Sequence, residues 1–337
     1  MASRSREIDT VAERQRAREP GRGRDADSPA QIPSRGWRDI AVRLYKALGR
    51  DNVGLVAAGI AQYSLLAIFP GIAALVSIYA LFASPSDVAQ HMASIDAIMP
   101  PAAAEILTGQ LSSLASSSSG ALELGAIGGL LLALWSARRA MAALMVGTNI
   151  AYGERESRSL VRKALVSVAL TVFAIIGVII VVALGVITPI ALRVLPTGQW
   201  LDMTVGALRW VVLWLFAVLT LSVVYRFAPD RKDARWRWVT WGSALAATLW
   251  LIASLLFTVY VANFGNYGET YGALGGVIIL LLWLWLSAAI TILGAEINAE
   301  MEHQTARDTT TGVPKPIGHR GAYMADTVGA AAGSHPK

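Results

Sequence analysis

Six apolar stretches, at about 54–82, 120–148, 163–192, 205–228, 238–262 and 273–299, alternate with short polar gaps along the chain. A hydrocarbon core about 30 Å thick needs roughly 20 apolar residues in helical form, so each stretch is long enough to cross it. The third is the plainest, because no charge falls between Ala164 and Leu192. The first contains Pro70, which removes one helical hydrogen bond and predicts a kink or break there. The pattern predicts an all-α membrane protein, a bundle of six transmembrane helices.

Two further segments have helical spacing outside these runs. Between Gly36 and Arg50, Trp37, Ile40, Leu44 and Leu48 recur every three or four residues, with Arg38, Arg43, Lys46 and Arg50 on the other faces. This fits an N-terminal interfacial helix on an anionic leaflet, or a helix whose stripe packs on neighbouring loops. Between the first two spans, Ser84-Pro85 resembles a capped helix start, and Val88, Met92, Ile95 and Met99 form a stripe ended by Pro100-Pro101. Leu107, Leu111 and Leu114 mark a second helix, so an outer helical hairpin is expected. Residues 1–35 and 301–337 have little apolar clustering and are expected to be disordered tails flanking a membrane domain at 36–300. Gly125 with Gly129, and Gly272 with Gly276, have the spacing that allows close helix approach.

Composition supports the membrane class: 55% of the 337 residues are hydrophobic and only 15% charged, too few charges for a soluble surface. The net charge of +6 does not form one basic face. Twelve basic residues precede Asp51 and most others sit in polar gaps, so no nucleic-acid partner is expected. Arg155, Arg158, Arg162 and Lys163 follow the second span, and Arg226, Arg231, Lys232, Arg235 and Arg237 follow the fourth. The intervening gaps contrast with these: residues 83–119 hold no Lys or Arg, and 263–272 hold Glu269 as their one charge. This alternation is that of six spans with both termini cytoplasmic.

Charge inside a membrane is costly, which makes each such residue a candidate for function. Arg138 and Arg139 lie roughly 13–17 Å from the helix end if the second span runs to Asn149, at 1.5 Å per residue. They either snorkel to leaflet phosphates or form an anion or headgroup site. In the sixth span Glu296 and Glu300 are one turn apart, with Asn298 between them. Glu296 is expected to pair with an arginine from the second span or the loops. Gln62, Tyr63 and Pro70 in the first span could line the same cavity. Asn263, Asn266, Tyr267 and Tyr271 form a polar aromatic cluster before the sixth span, either an outer gate or part of the aromatic belt. The chain has no cysteine, and its four histidines lie in polar segments. It lacks a phosphate-binding glycine loop, an HExxH motif and a nucleophile elbow, so neither a cofactor nor an enzymatic activity is expected.

Several short motifs, taken in order, resemble the YihY/BrkB family of bacterial inner-membrane proteins over roughly residues 36–300. They are Ala61-Gln62-Tyr63-Ser64 with Phe69-Pro70, Asn149-Ile150-Ala151-Tyr152-Gly153 with Glu154-Arg155, Tyr225-Arg226-Phe227-Ala228-Pro229, Tyr267 with Tyr271-Gly272, and Gly294-Ala295-Glu296-Ile297-Asn298-Ala299. Gln62-Tyr63 departs from the aromatic pair of many relatives and bears on cavity polarity. The resemblance implies a multi-pass inner-membrane protein linked to virulence or envelope biogenesis. The family has also carried a ribonuclease BN label, which fits poorly here because the spans lack a clustered ligand set for metal-assisted cleavage.

Three functions follow as expectations. The first is a transporter or flippase of a lipid or amphipathic anion. The second is a non-transporting scaffold that binds an envelope protein or another copy of itself. The third, a membrane ribonuclease, is the weakest. The membrane topology is directly testable because the chain has no native thiol. A Ser117→Cys variant should react with a membrane-impermeant maleimide in intact spheroplasts, whereas Ser159→Cys should react only after permeabilisation. The reverse pattern overturns the orientation.

Overall fold

The computed structural model describes residues 8–82, 119–194, 199–264 and 274–333. Six long helices coincide with the six apolar stretches: α3 (Val53–Phe82), α4 (Ser119–Ala151), α5 (Leu160–Val194), α6 (Gln199–Phe227), α7 (Trp236–Phe264) and α8 (Leu274–Glu302). Among the described residues three shorter helices, α1 (Thr10–Arg16), α2 (Ser34–Arg50) and α9 (Tyr323–Asp326), lie toward the termini. Among the described residues there is no strand, only an isolated antiparallel bridge between Ala234 and Thr310.

Among the described residues five helices are long and apolar enough to cross a membrane, and up to six if α2 and the first part of α3 count as one bent span. The helical backbone of α3 continues through Pro70. The break comes earlier, at Asp51–Asn52, where the two helices meet at 61° and Asn52 takes a left-handed φ of 48°. Asparagine tolerates that conformation better than most residues. The expected hairpin between α3 and α4 lies outside the described residues, as do Asn266, Tyr267 and Tyr271.

By compactness the chain divides into two units. The first comprises Met1–Val56, Leu144–Ile252 and Ala289–Lys337. Its apolar centre joins Ala26, Ile32, Ile40, Trp238, Ile297 and Met301, with Trp37, Leu44 and Leu293 packed against them. The stripe on α2 is therefore covered by protein from α7 and α8, not left free for a leaflet. Helices α7 and α8 approach so closely that a Cβ on Gly242 would collide with the Asn298 side chain and the Gly294 carbonyl. That close approach lies at Gly242 and Gly294, whereas the environments of Gly125 and Gly272 are outside the described set.

The termini correct a reading from composition. Residues 8–35 and 301–333 were expected to be disordered, yet they fold against each other in this unit. Arg24 donates to the carbonyls of Gln304 (3.1 Å) and Gly329 (2.7 Å) and pairs with Glu19 at 2.6 Å. Glu13 accepts from the Val328 N–H, and Asp39 accepts from the Ala332 N–H while pairing with Arg22. The Thr305 hydroxyl donates to the Ala26 carbonyl at 2.7 Å. Polar composition argues for disorder when there is too little to bury. Here each tail meets the donors and acceptors of the other, and the apolar residues Ala26, Ile32 and Met301 supply a shared core.

The second unit comprises Ala57–Ala143 and Ala253–Ala288. Its described helix surfaces are apolar and exposed, including Leu66, Ile127, Leu131, Leu132, Leu255 and Leu256. Exposed apolar residues on this scale mark a surface that meets a membrane or a partner, not water.

Candidate functional site

Within the first unit, the ends of α4, α6 and α8 bring together a buried polar centre. Its strongest element is Arg231, in the loop after α6, paired with Glu302 at the end of α8 at 2.9 Å. Neither side chain is exposed at all. Both Glu302 oxygens accept from the same guanidinium nitrogen, and Oε2 also accepts from the Thr309 hydroxyl at 2.8 Å. The guanidinium lies 4.3 Å above the ring of Tyr152, itself fully buried just beyond α4. Charge in low dielectric survives only when paired and hydrogen-bonded, and a cation on an aromatic face adds to that support.

The loops carrying these groups are tied together. Asn149 accepts from the Asp230 N–H at 2.7 Å, and Asp230 accepts from both the backbone N–H and the hydroxyl of Ser157 at 2.6 Å. Arg158 pairs with Glu156 at 2.8 Å and donates to the Ala228 carbonyl at 2.7 Å. Burial raises the Asp230 carboxyl, but the Ser157 donors and Arg158 outweigh it and hold the group below its ordinary range. Gly153, at a left-handed φ of 66°, turns the chain where the Tyr323 ring packs. Next to it Glu154 accepts from the Tyr323 N–H at 2.7 Å. Burial pushes the Glu154 carboxyl up to about 7, against the pull of that N–H and of Arg231.

Three glutamates on α8 have different fates. Glu300 is held by Arg43 from α2, which also donates to the Glu300 carbonyl at 3.2 Å, with His303 at 3.7 Å. Glu302 has Arg231. Glu296 is as buried as Glu302, yet neither of its carboxyl oxygens has a hydrogen-bond partner among the described residues. Among the described residues the arginine pair expected for Glu296 is therefore not formed. The guanidinium groups of this unit reach the two glutamates nearer the end of the helix.

Other expected site residues are placed as follows. Asn298 is fully buried and bonds backbone: it accepts from the Gly242 N–H at 2.9 Å and donates to the Val239 carbonyl at 3.0 Å. It holds α7 against α8, and the buried Tyr152 hydroxyl lies near it without a well-formed hydrogen bond. Tyr225, at the end of α6, donates to the Thr291 carbonyl at 2.7 Å. In the second unit Gln62 and Tyr63 are exposed, and Asn263 donates to the Val259 carbonyl within its own helix. Pro70 is half-buried there. Arg139 is exposed with its guanidinium 4.0 Å over the Trp135 ring, and Arg138 is half-buried with a partner of its own. In the first unit, Arg226 stacks on Trp236 at 4.4 Å and lies 5.4 Å from Phe227.

Arg231, Glu302, Tyr152 and Tyr225 were not among the expected site residues. Arg231 counted only as a topological charge, Glu302 as the start of a tail, and the tyrosines only as parts of motifs. Those motifs did carry a usable signal. Asn149–Glu154, Tyr225–Pro229 and Gly294–Ala299 are far apart in sequence and meet in this one centre.

Long apolar helices with polar groups gathered at their ends define an integral, multi-pass α-helical membrane protein. The chain belongs to the family described as Virulence factor BrkB, whose model matches residues 44–317. YfkH of Bacillus subtilis (strain 168), which carries a ribonuclease-like name, is 36% identical over 51% of this chain and 63% of its own length. A UPF0761 membrane protein of Idiomarina loihiensis is 31% identical over 31% of this chain and 38% of its own length. The chain thus spans less than two thirds of the length of either relative. A UPF0761 membrane protein of Vibrio parahaemolyticus is 29% identical, with 77% of this chain and 81% of that protein aligned. No solved structure matches the chain.

Two outcomes follow from this geometry. Glu302→Ala should destabilise the protein by about 3–5 kcal/mol by stranding Arg231, while Glu302→Leu combined with Arg231→Met should recover much of the loss, read by denaturation in detergent. Glu154 binds its proton more tightly folded than unfolded, so its contribution is fully present below about pH 4.5 and is lost as pH rises through about 7. Melting temperature of the wild type should therefore fall relative to Glu154→Gln across that window and run parallel to it above.

Proposed function

We propose that this protein moves a lipid or amphipathic anion across the bacterial inner membrane, with both termini on the cytoplasmic side, in support of envelope biogenesis. The observation that carries the reading is Glu296, a fully buried glutamate on a membrane-length helix with no hydrogen-bond partner among the described residues. Such a group is expensive to keep and is a mark of substrate or ion pathways in membrane proteins. Cationic side chains against aromatic faces, Arg139 on Trp135 and Arg226 on Trp236, offer headgroup phosphates a charged contact beside an apolar surface.

The packed termini support the topology. Residues from both ends join one unit, and the C-terminal segment hydrogen-bonds to the loops after α4 and α6, as in the contacts of Tyr323 with Glu154 and of Lys232 with Gly321. Termini that fold together require an even number of crossings. The arginine-rich composition of the same loops favours the cytoplasmic side. The ribonuclease name belongs to YfkH. Among the described residues no three His, Asp or Glu side chains gather as a metal site.

The test is movement of fluorescent anionic and zwitterionic phospholipids across liposomes containing the purified protein. Wild type should move at least one of them faster than protein-free liposomes, and Arg139→Ala should slow the anionic lipid more than the zwitterionic one. Wild-type liposomes indistinguishable from empty ones for every lipid would sink the reading.

A further inference from the structure

We propose that Glu296 and Asp51 form a proton-binding site, with one exchangeable proton shared between the two carboxyl groups. The inference begins with the unequal treatment of the glutamates on α8. Glu300 and Glu302 each have a guanidinium, and Glu296 has no donor although it is fully buried. The Asp51 carboxyl faces it from the turn between α2 and α3, and is itself mostly buried. The charged and titratable groups around Glu296 are Asp51 and Arg50 from that turn, Glu300 on its own helix, and Tyr152 from the end of α4.

Arg50 attracts Glu296 but makes no hydrogen bond to it. Its side chain is largely exposed, and its two hydrogen bonds go to Asp51, at 2.9 and 2.7 Å. Glu300 adds a second negative charge one turn along α8. A buried carboxylate with no donor is costly, and two carboxylates sharing one site cannot both ionise. A proton on one oxygen supplies what is missing. It removes one charge and creates an O–H that donates to the facing carboxylate. A metal ion fits less well, because no group of three acidic or histidine ligands forms among the described residues and Arg50 already occupies both Asp51 oxygens.

The position also gives the proton something to act on. Asp51 sits where α2 and α3 meet at 61°, beside the left-handed Asn52. Gaining or losing a proton changes the attraction between this bend and α8. Coupling of that change to substrate movement rests on the transport reading above, whereas proton binding does not.

Infrared difference spectroscopy on the purified full-length protein, stepped from mildly acid to mildly alkaline buffer, tests the site without any transport assay. Wild type should lose a protonated-carboxyl band that is absent in E296Q and retained in E154Q. Asp51→Asn removes a facing negative charge and should weaken proton binding about tenfold, moving the midpoint of that band about one unit toward acid pH. If E296Q does not fold, the Asp51→Asn shift decides the matter. Persistence in folded E296Q of the same band that E154Q retains, a midpoint unchanged in Asp51→Asn, or a midpoint that follows sodium concentration at constant pH overturns the proposal. Wild-type protein that shows the band but moves no lipid leaves the proton site standing and removes the transport reading. Lipid movement without the band does the opposite.

Discussion

The fully buried pair of Arg231 and Glu302 is the constraint around which the polar end of this fold is built. Two charges withdrawn from water must satisfy each other or pay a penalty of several kcal/mol per ion. The pair fixes the loop after α6 to the last turn of α8. Tyr152 is held under the guanidinium and Thr309 against the carboxylate, which brings the end of α4 and the C-terminal segment to the same point. Around it the two loops are joined through Asn149, Asp230, Ser157 and Arg158. The termini then close over this framework, Glu154 receiving the Tyr323 N–H and Arg24 reaching the carbonyls of Gln304 and Gly329.

Against that framework Glu296 stands out by contrast. A helix that carries three glutamates within seven residues, at 296, 300 and 302, sets up strong repulsion in a low-dielectric region. Two of the three are answered by arginines from other segments. The third faces a further carboxyl, and so is the group whose charge state is most open to change. Its location on a membrane-length helix, next to a bend, is where such a change has mechanical leverage.

Parts of the candidate site were legible in sequence because membranes make charge conspicuous. Glu296 could be singled out as a carboxyl in an apolar run, and the fold buries it completely. Its partner was not legible, because the sequence offers many arginines and no indication of which glutamate each will reach. Asn298 was grouped with the cavity, yet both ends of its amide bind the backbone of α7, a role that depends on Gly242 letting the helices approach. The stripe on α2 was read correctly as helical, with its covering surface left open between lipid and protein. Trp238 and Ile297 provide that surface. The tails were misread because each looks unable to fold alone, and each does its folding on the other.

By itself, then, the sequence determined the class of protein, the apolar stretches long enough to cross a bilayer and the family to which it belongs. Those follow from hydrophobic periodicity and length, which are local properties imposed by the thickness of a bilayer. The tertiary structure alone decided which charges meet. Ion pairing, tail docking and the isolation of Glu296 are long-range matters, joining residues such as Arg43 and Glu300 that lie 257 positions apart. In low dielectric the value of a charge is set by its nearest opposite, and that neighbour is known only once the chain has folded.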